Sequence, residues 1–165
     1  MNNILSPKIV SDPIRGTFDI RSVLPMIDTP QFQSLGYKRQ LGMTDLAFPS
    51  ATRVRMAHSL GSFDSTRELT KRWCERELIT EEEATAVNAF ALYHDIGHGP
   101  FSHVTERICP LDNDEMGLKI IDELRSKIEA CNINFDLFKN IFAHKNNLYL
   151  AVHDKNLGME KLDYL

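Results

Sequence analysis

A chain of 165 residues, 42% apolar and 25% charged, has the length for one core and the composition of an ordinary globular protein. Its formal net charge of −4 gives no basic footprint for nonspecific nucleic-acid binding, and no apolar run is long enough to span a bilayer. Cys74, Cys109 and Cys131 are odd in number and widely spaced. Together with an N-terminus lacking a signal-peptide pattern, they read as reduced structural thiols of a cytoplasmic protein.

In chain order, Ile9-Val10 and Thr17 to Ile20 are β-favouring runs on either side of a Pro/Gly turn, which predicts a small hairpin. Everything afterwards reads helical. Asp28 or Thr29 before Pro30 starts a helix, since proline at the first position loses only a donor that is already orphaned. That helix is expected to run to about Gln40, with Gly42 ending it. A second helix carries His58 and continues through Leu69 to about Glu77. Thr80 followed three residues later by Glu83 is a capping box opening a third helix, whose apolar stretch leads to His94. Gly97, Gly99 and Pro100 break the pattern immediately after it. Asp112 or Asn113 caps a further helix with Met116, Ile120, Ile121 and Leu124 on one face, and the segments 135–142 and 156–165 supply two more. The expected fold is all-α with a small N-terminal β-hairpin.

The chemistry concentrates at His94-Asp95-Ile96-Gly97-His98-Gly99-Pro100-Phe101-Ser102-His103, which holds three of the six histidines. Imidazole and carboxylate together suit a first-row divalent metal, and further imidazoles suit proton transfer to a phosphate ester. His58 stands upstream in Arg55-Met56-Ala57-His58-Ser59-Leu60-Gly61, and Glu160-Lys161-Leu162-Asp163-Tyr164 lies near the end. One histidine alone is ordinarily a core residue satisfying its hydrogen bonds. His58, His94 and Asp95 together read as metal ligands, with an acid from the C-terminal segment completing a two-nitrogen, two-oxygen shell. Such a shell favours manganese, iron, zinc, cobalt or nickel over magnesium, which prefers all-oxygen octahedra. The side chains of His58 and His94 are therefore expected to converge from separate helices.

These motifs resemble the HD-domain phosphohydrolases, specifically their deoxynucleoside triphosphate triphosphohydrolase branch. The likeness extends to Asp12-Pro13-Ile14-Arg15-Gly16, which is similar to the family's Asp-Pro-Ile-His-Gly turn. It also covers the run from Ile27 to Leu35, Arg39-Gln40-Leu41-Gly42, and the segment from Phe48-Pro49 to Gly61. The resemblance implies one HD domain over residues 1–165, with 1–25 a hairpin appendage and 26–165 the helical core. It implies hydrolysis of a deoxynucleoside triphosphate to deoxynucleoside and tripolyphosphate, one divalent transition metal, and magnesium as a possible companion of the nucleotide. Residue by residue, it implies His58, His94, Asp95 and Glu160 as metal ligands, and His98, His103 and Asp114 as catalytic positions. Arg55 and Lys161 then neutralise phosphate oxygens, while Gln40, Leu41 and Tyr164 line the sugar side. Asp163 either approaches the site or pairs with a neighbouring helix, and His144 and His153 receive no role.

Several positions depart from the family pattern. Asp114-Glu115 stands where relatives carry His-Glu, and an aspartate is ionised at neutral pH beside a triphosphate that is already negative. Glu160 stands where relatives carry aspartate, and its extra methylene shifts the carboxylate by roughly 1.5 Å, a misplacement that can cost about 10²-fold in rate. Ser34 and Gly36 replace basic residues, whereas Asp28 and Gln33 retain positions tied to guanine recognition in nucleotide-activated relatives. The chain stops at Leu165, where relatives continue into a sugar-binding Arg-Asp pair and a long C-terminal region, so a C-terminally short form is expected. Two functions follow: a nucleotide-hydrolysing enzyme, or a degenerate relative that binds nucleotide or a partner protein without turnover. The latter includes a homo-oligomer or a pairing with a full-length relative. A nuclease acting on polynucleotide fits poorly with the acidic balance and the lack of aromatic–basic interleaving.

Overall fold

The computed structural model describes residues 7–13, 15–101 and 112–163. Strands Ile9–Asp12 (β1) and Gly16–Asp19 (β2) form the expected antiparallel hairpin, with Val10 opposite Phe18. The turn is closed by Arg15 N donating to Asp12 Oδ1 at 3.0 Å. Phe18 and Ile20 are buried in the common core, so the hairpin is docked on the helical body through one face.

The helical body opens with the short helices Leu24–Ile27 (α1) and Pro30–Ser34 (α2). Thr29 caps α2 by accepting from Phe32 N, with Pro30 just inside as the sequence suggests. The helix expected to reach Gln40 ends early, in a 3-10 turn over Leu35–Tyr37. Beyond it, Lys38 is extended, and the backbone pairs across an isolated bridge between Arg39 and Val54. Gln40 N donates to Arg53 O at 2.9 Å and Arg55 N donates to Lys38 O at 2.8 Å. Those partners from a later stretch of the same chain replace the bonds that a longer helix would have made.

Arg55–Glu75 (α3) and Glu81–Tyr93 (α4) are the two long helices that pack together. The buried face of α3 is built largely of small or polar residues, Ser59, Gly61, Ser62, Thr66 and Thr70, with Phe63. Small side chains let the two backbones approach closely, and Thr70 Oγ1 donates to Asn88 Oδ1 of α4 at 2.9 Å. The capping box of α4 is present: Glu83 N donates to Thr80 Oγ1, and Thr80 N donates to Glu83 Oε2 at 2.8 Å. Ala84, Ala86, Val87 and every residue from Ala89 to Tyr93 are buried, which makes α4 the central helix.

Asn113–Glu123 (α5), capped by Asp112, continues into Arg125–Glu129 (α6) and Phe135–Phe142 (α7). The α7 aromatics seal the other flank of α4, with Phe90 and Phe142 in an edge-to-face pair at 5.8 Å. A 3-10 segment, Asn147–Ala151, had no forewarning in the sequence pattern. The last expected helix shrinks, among the described residues, to Met159–Leu162 (α8). Asp154 Oδ1 accepts from Asn156 N and Leu157 N at 2.7 and 2.9 Å, a side-chain turn that competes with helix before residue 158. No helix among the described residues is long and apolar enough to cross a membrane.

Candidate metal centre

His58 lies in the second turn of α3, and His94 and Asp95 follow directly on the last residue of α4. Adjacent helical residues point about 100° apart, so consecutive ligands need a place where the helix ends. The end of α4 is pinned by Tyr93, whose hydroxyl donates to Met26 O at 2.7 Å and lies 3.3 Å from Thr29 Oγ1. Burial pushes the Tyr93 hydroxyl far above its usual pKa, and it stays a neutral donor.

The two imidazoles converge. His58 Nε2 and His94 Nε2 are 3.3 Å apart, and both Nδ1 atoms are already committed. His94 Nδ1 is 2.8 Å from Ala91 O, which can only accept, so Nδ1 carries the proton. His58 Nδ1 faces the Asp163 carboxylate at 2.8 Å, which likewise calls for a proton on Nδ1. With both Nδ1 atoms protonated, the two Nε2 lone pairs face one another across 3.3 Å, and a cation shared between them would offset their repulsion. Nitrogens each about 2.1 Å from one ion subtend roughly 100° when this far apart, an ordinary ligand angle. Burial lowers the pKa of His94 against the opposing pull of Asp95, which keeps its Nε2 available as a ligand at neutral pH.

Asp95 Oδ1 is 3.7 Å from His94 Nε2, and ligand atoms of His58, His94 and Asp95 all lie within 4.8 Å of one another. Among the described residues this is the one such group of three or more. Burial alone would raise the Asp95 carboxyl, but His94 and the Arg55 guanidinium hold it well below the usual carboxylate range. Arg55 is itself buried, and its Nη1 donates to Asp95 Oδ2 at 2.6 Å. One carboxylate oxygen is thus fixed from behind while the other faces the imidazoles. The donor set, two imidazoles and an ionised carboxylate, fits a divalent transition metal.

Behind His58, Asp163 is fully buried and gathers three cationic or donor partners. Besides His58, Arg15 Nε reaches Oδ1 at 2.9 Å and Arg53 Nη2 reaches Oδ2 at 2.9 Å. A carboxylate behind a ligating histidine fixes its tautomer and ring orientation. Gly61 makes room for it: a Cβ there would lie 1.9 Å from Asp163 Oδ1. Asp163 thus pairs with α3 and, through His58, also touches the candidate metal group. Arg15 and Arg53 are drawn into this cluster.

The remaining candidates are scattered around the centre. His98 Nε2 is 3.6 Å from Asp95 Oδ1, and its carbonyl accepts from Lys38 Nζ at 2.7 Å. Glu160 Oε2 stands 3.9 Å from His94 Nε2 but is bonded to His153 Nδ1 at 2.8 Å, and Glu160 is not in the mutually close group. Lys161 Nζ donates to Lys155 O. Gln40 is half-buried on the bridge to Arg53, whereas Leu41 is 58% exposed. Asp114 is exposed in the first turn of α5; burial lowers the pKa of His144 against the pull of the Asp114 charge, and the hydrogen bond to Glu160 raises that of His153, with Asp114 adding to it. His103 and Tyr164 lie outside the described residues. Sequence reasoning missed His153 because it sits in no motif and reaches the site only through the fold of residues 152–160.

Comparison with known proteins identifies the family. The HD-domain family matches residues 55–161, which run from the buried arginine through the last helix. The deoxynucleoside triphosphate triphosphohydrolase SAMHD1 of Gallus gallus is 42% identical over 118 residues, covering 68% of this chain and 19% of that protein. The uncharacterized protein YwfO of Bacillus subtilis is 30% identical over 167 residues, covering 96% of this chain and 39% of the relative. The chain thus spans well under half the length of these curated relatives. Among solved structures, a phosphohydrolase from Bacteroides thetaiotaomicron superposes with a TM-score of 0.84 at 31% identity, over 95% of this chain and 40% of the other.

Proposed function

We propose, from the premise that this chain belongs to the HD-domain family, that it is a metal-dependent phosphohydrolase acting on deoxynucleoside triphosphates. The observation that carries the reading is the pair of Nε2 atoms 3.3 Å apart, each with its other ring nitrogen committed and an ionised carboxylate beside them. His58, His94 and Asp95 hold the cation, drawn from manganese, iron, zinc, cobalt and nickel. A bound divalent cation supplies Lewis-acid polarisation of a phosphoryl oxygen and an acidified water.

The chain's own residues do the rest. Asp163 orients His58, and Arg55 keeps Asp95 ionised and turned toward the imidazoles. His98, 3.6 Å from Asp95 Oδ1, is within reach of a proton exchanged with water at the site. Water attack on the α-phosphorus breaks its bond to the 5′-oxygen of the sugar. The 5′-oxygen leaves with a proton as deoxynucleoside, and the α-phosphate departs within tripolyphosphate. Gln40, Leu41 and Tyr164 line the sugar side, Lys161 meets phosphate after leaving the Lys155 carbonyl, and His103 adds a second imidazole; these roles rest on the family resemblance.

A second reading is favoured by one observation: Asp114, at the position of the family's general acid, is an exposed acid whose field falls on His144 and His153. On that reading the protein binds nucleotide or a partner protein without turnover. Incubation of the metal-loaded protein with each deoxynucleoside triphosphate separates the two. Deoxynucleoside and tripolyphosphate that disappear in His94→Ala support the hydrolase, and metal bound without product supports the binder.

A further inference from the structure

We propose that His153 is a positioning residue for Glu160, holding its carboxylate beside the His58–His94–Asp95 group; the proposal rests on the metal-centre reading above. His153 Nδ1 lies 2.8 Å from Glu160 Oε2, and this same oxygen is the one 3.9 Å from His94 Nε2. The atom of Glu160 nearest the paired imidazoles is therefore the atom that His153 grips. A free glutamate spreads over many rotamers, and ordering it in one of them costs side-chain entropy. A fixed donor on one carboxylate oxygen removes most of that cost before an ion arrives.

Two further features bring the His153 ring and the Glu160 carboxylate together. The His153 ring stacks on His144 at 5.7 Å and 20°, and His144 in turn stacks on Tyr149 at 4.3 Å and 23°, so three rings fix its plane. The backbone then folds residue 160 back onto residue 152: Glu160 N donates to Val152 O at 3.2 Å. Gly158 permits that closure, since a Cβ there would lie 2.0 Å from Val152 O and 2.6 Å from Asp154 N. The chain carries a longer acid than the aspartate of the family pattern, together with a histidine seven residues earlier that braces it.

Manganese affinity of the purified chain tests this by equilibrium dialysis, a readout independent of turnover. The His153 side chain is 54% exposed, so His153→Ala leaves the core intact, as a thermal melt will verify. The expected result is affinity about 10-fold weaker for His153→Ala, in line with the loss of a residue supporting a ligand. His153→Asn, whose side-chain amide can donate from near the Nδ1 position, should stay within about twofold of the parent. In a Glu160→Ala background, His153→Ala should have no further effect. Unchanged affinity in His153→Ala, or an equal loss in the Glu160→Ala background, would overturn the proposal. Failure of the unaltered chain to bind manganese, cobalt or zinc in the same dialysis overturns the metal-centre reading itself, and so is distinguishable from failure of the brace alone.

Discussion

Gly61→Ala is the substitution in which two well-known effects have opposite signs. Within an exposed helix, glycine to alanine adds about 1 kcal/mol of stability. At residue 61 of α3 the new methyl would sit 1.9 Å from Asp163 Oδ1, 2.7 Å from its Cγ and 3.0 Å from Arg15 Nε. To reach even the shortest tolerable contact, the Asp163 carboxylate must withdraw by about 1 Å, in an interior packed too densely to yield freely. That retreat stretches three contacts at once, to His58, Arg15 and Arg53, around a fully buried charge. Weakening a buried ion pair by loss of a partner costs about 3–5 kcal/mol. Arg15 and Arg53 are partly exposed and water recovers some of the loss, so the net expectation is about 2–4 kcal/mol of destabilisation. Urea denaturation of the metal-free protein measures it, and manganese affinity should fall about 10- to 100-fold as His58 loses its orienting carboxylate. An alanine variant as stable as the parent, with unaltered metal affinity, would refute the assignment of Gly61 as the space for Asp163.

Other substitutions separate the site from the scaffold. Arg55→Met leaves the Asp95 carboxylate buried without its guanidinium, and should cost about 3–5 kcal/mol by urea denaturation; Asp95→Asn in the same chain should recover part of it. Tyr93→Phe removes the hydroxyl that donates to Met26 O and should cost about 1–2 kcal/mol by the same measurement, more than a surface hydroxyl. Thr80→Ala dismantles the capping box and should cost about 1 kcal/mol in melting experiments. The cap is a whole 13-residue helix, roughly 20 Å, from His94, so metal affinity should not change.

The sequence made the His94–Asp95 group legible because its residues sit in a short motif that is also short in space. His94 and Asp95 are adjacent, His98 follows one turn later, and the capping box at Thr80 fixed the start of the helix that delivers them. The hairpin was legible for the same reason, since both strands and the turn lie within twelve residues. Segments whose partners are distant in the chain were not. Residues 35–40 have a helical pattern, yet Gln40 bonds to Arg53 just before α3 and Lys38 to Arg55 at its first residue. Residues 154–158 likewise yield to an aspartate that satisfies two backbone donors. Asp163 and Arg15 are 148 residues apart, and no local spacing relates them. His153 carries no motif and becomes meaningful only once Gly158 lets the chain close on itself.

X-ray absorption on the protein loaded with cobalt or manganese examines the convergence of His58 and His94 directly. The geometry predicts one ion per chain with two imidazole nitrogens in its shell, falling to one in His58→Ala. A shell of oxygen atoms alone, unchanged by that substitution, would contradict it.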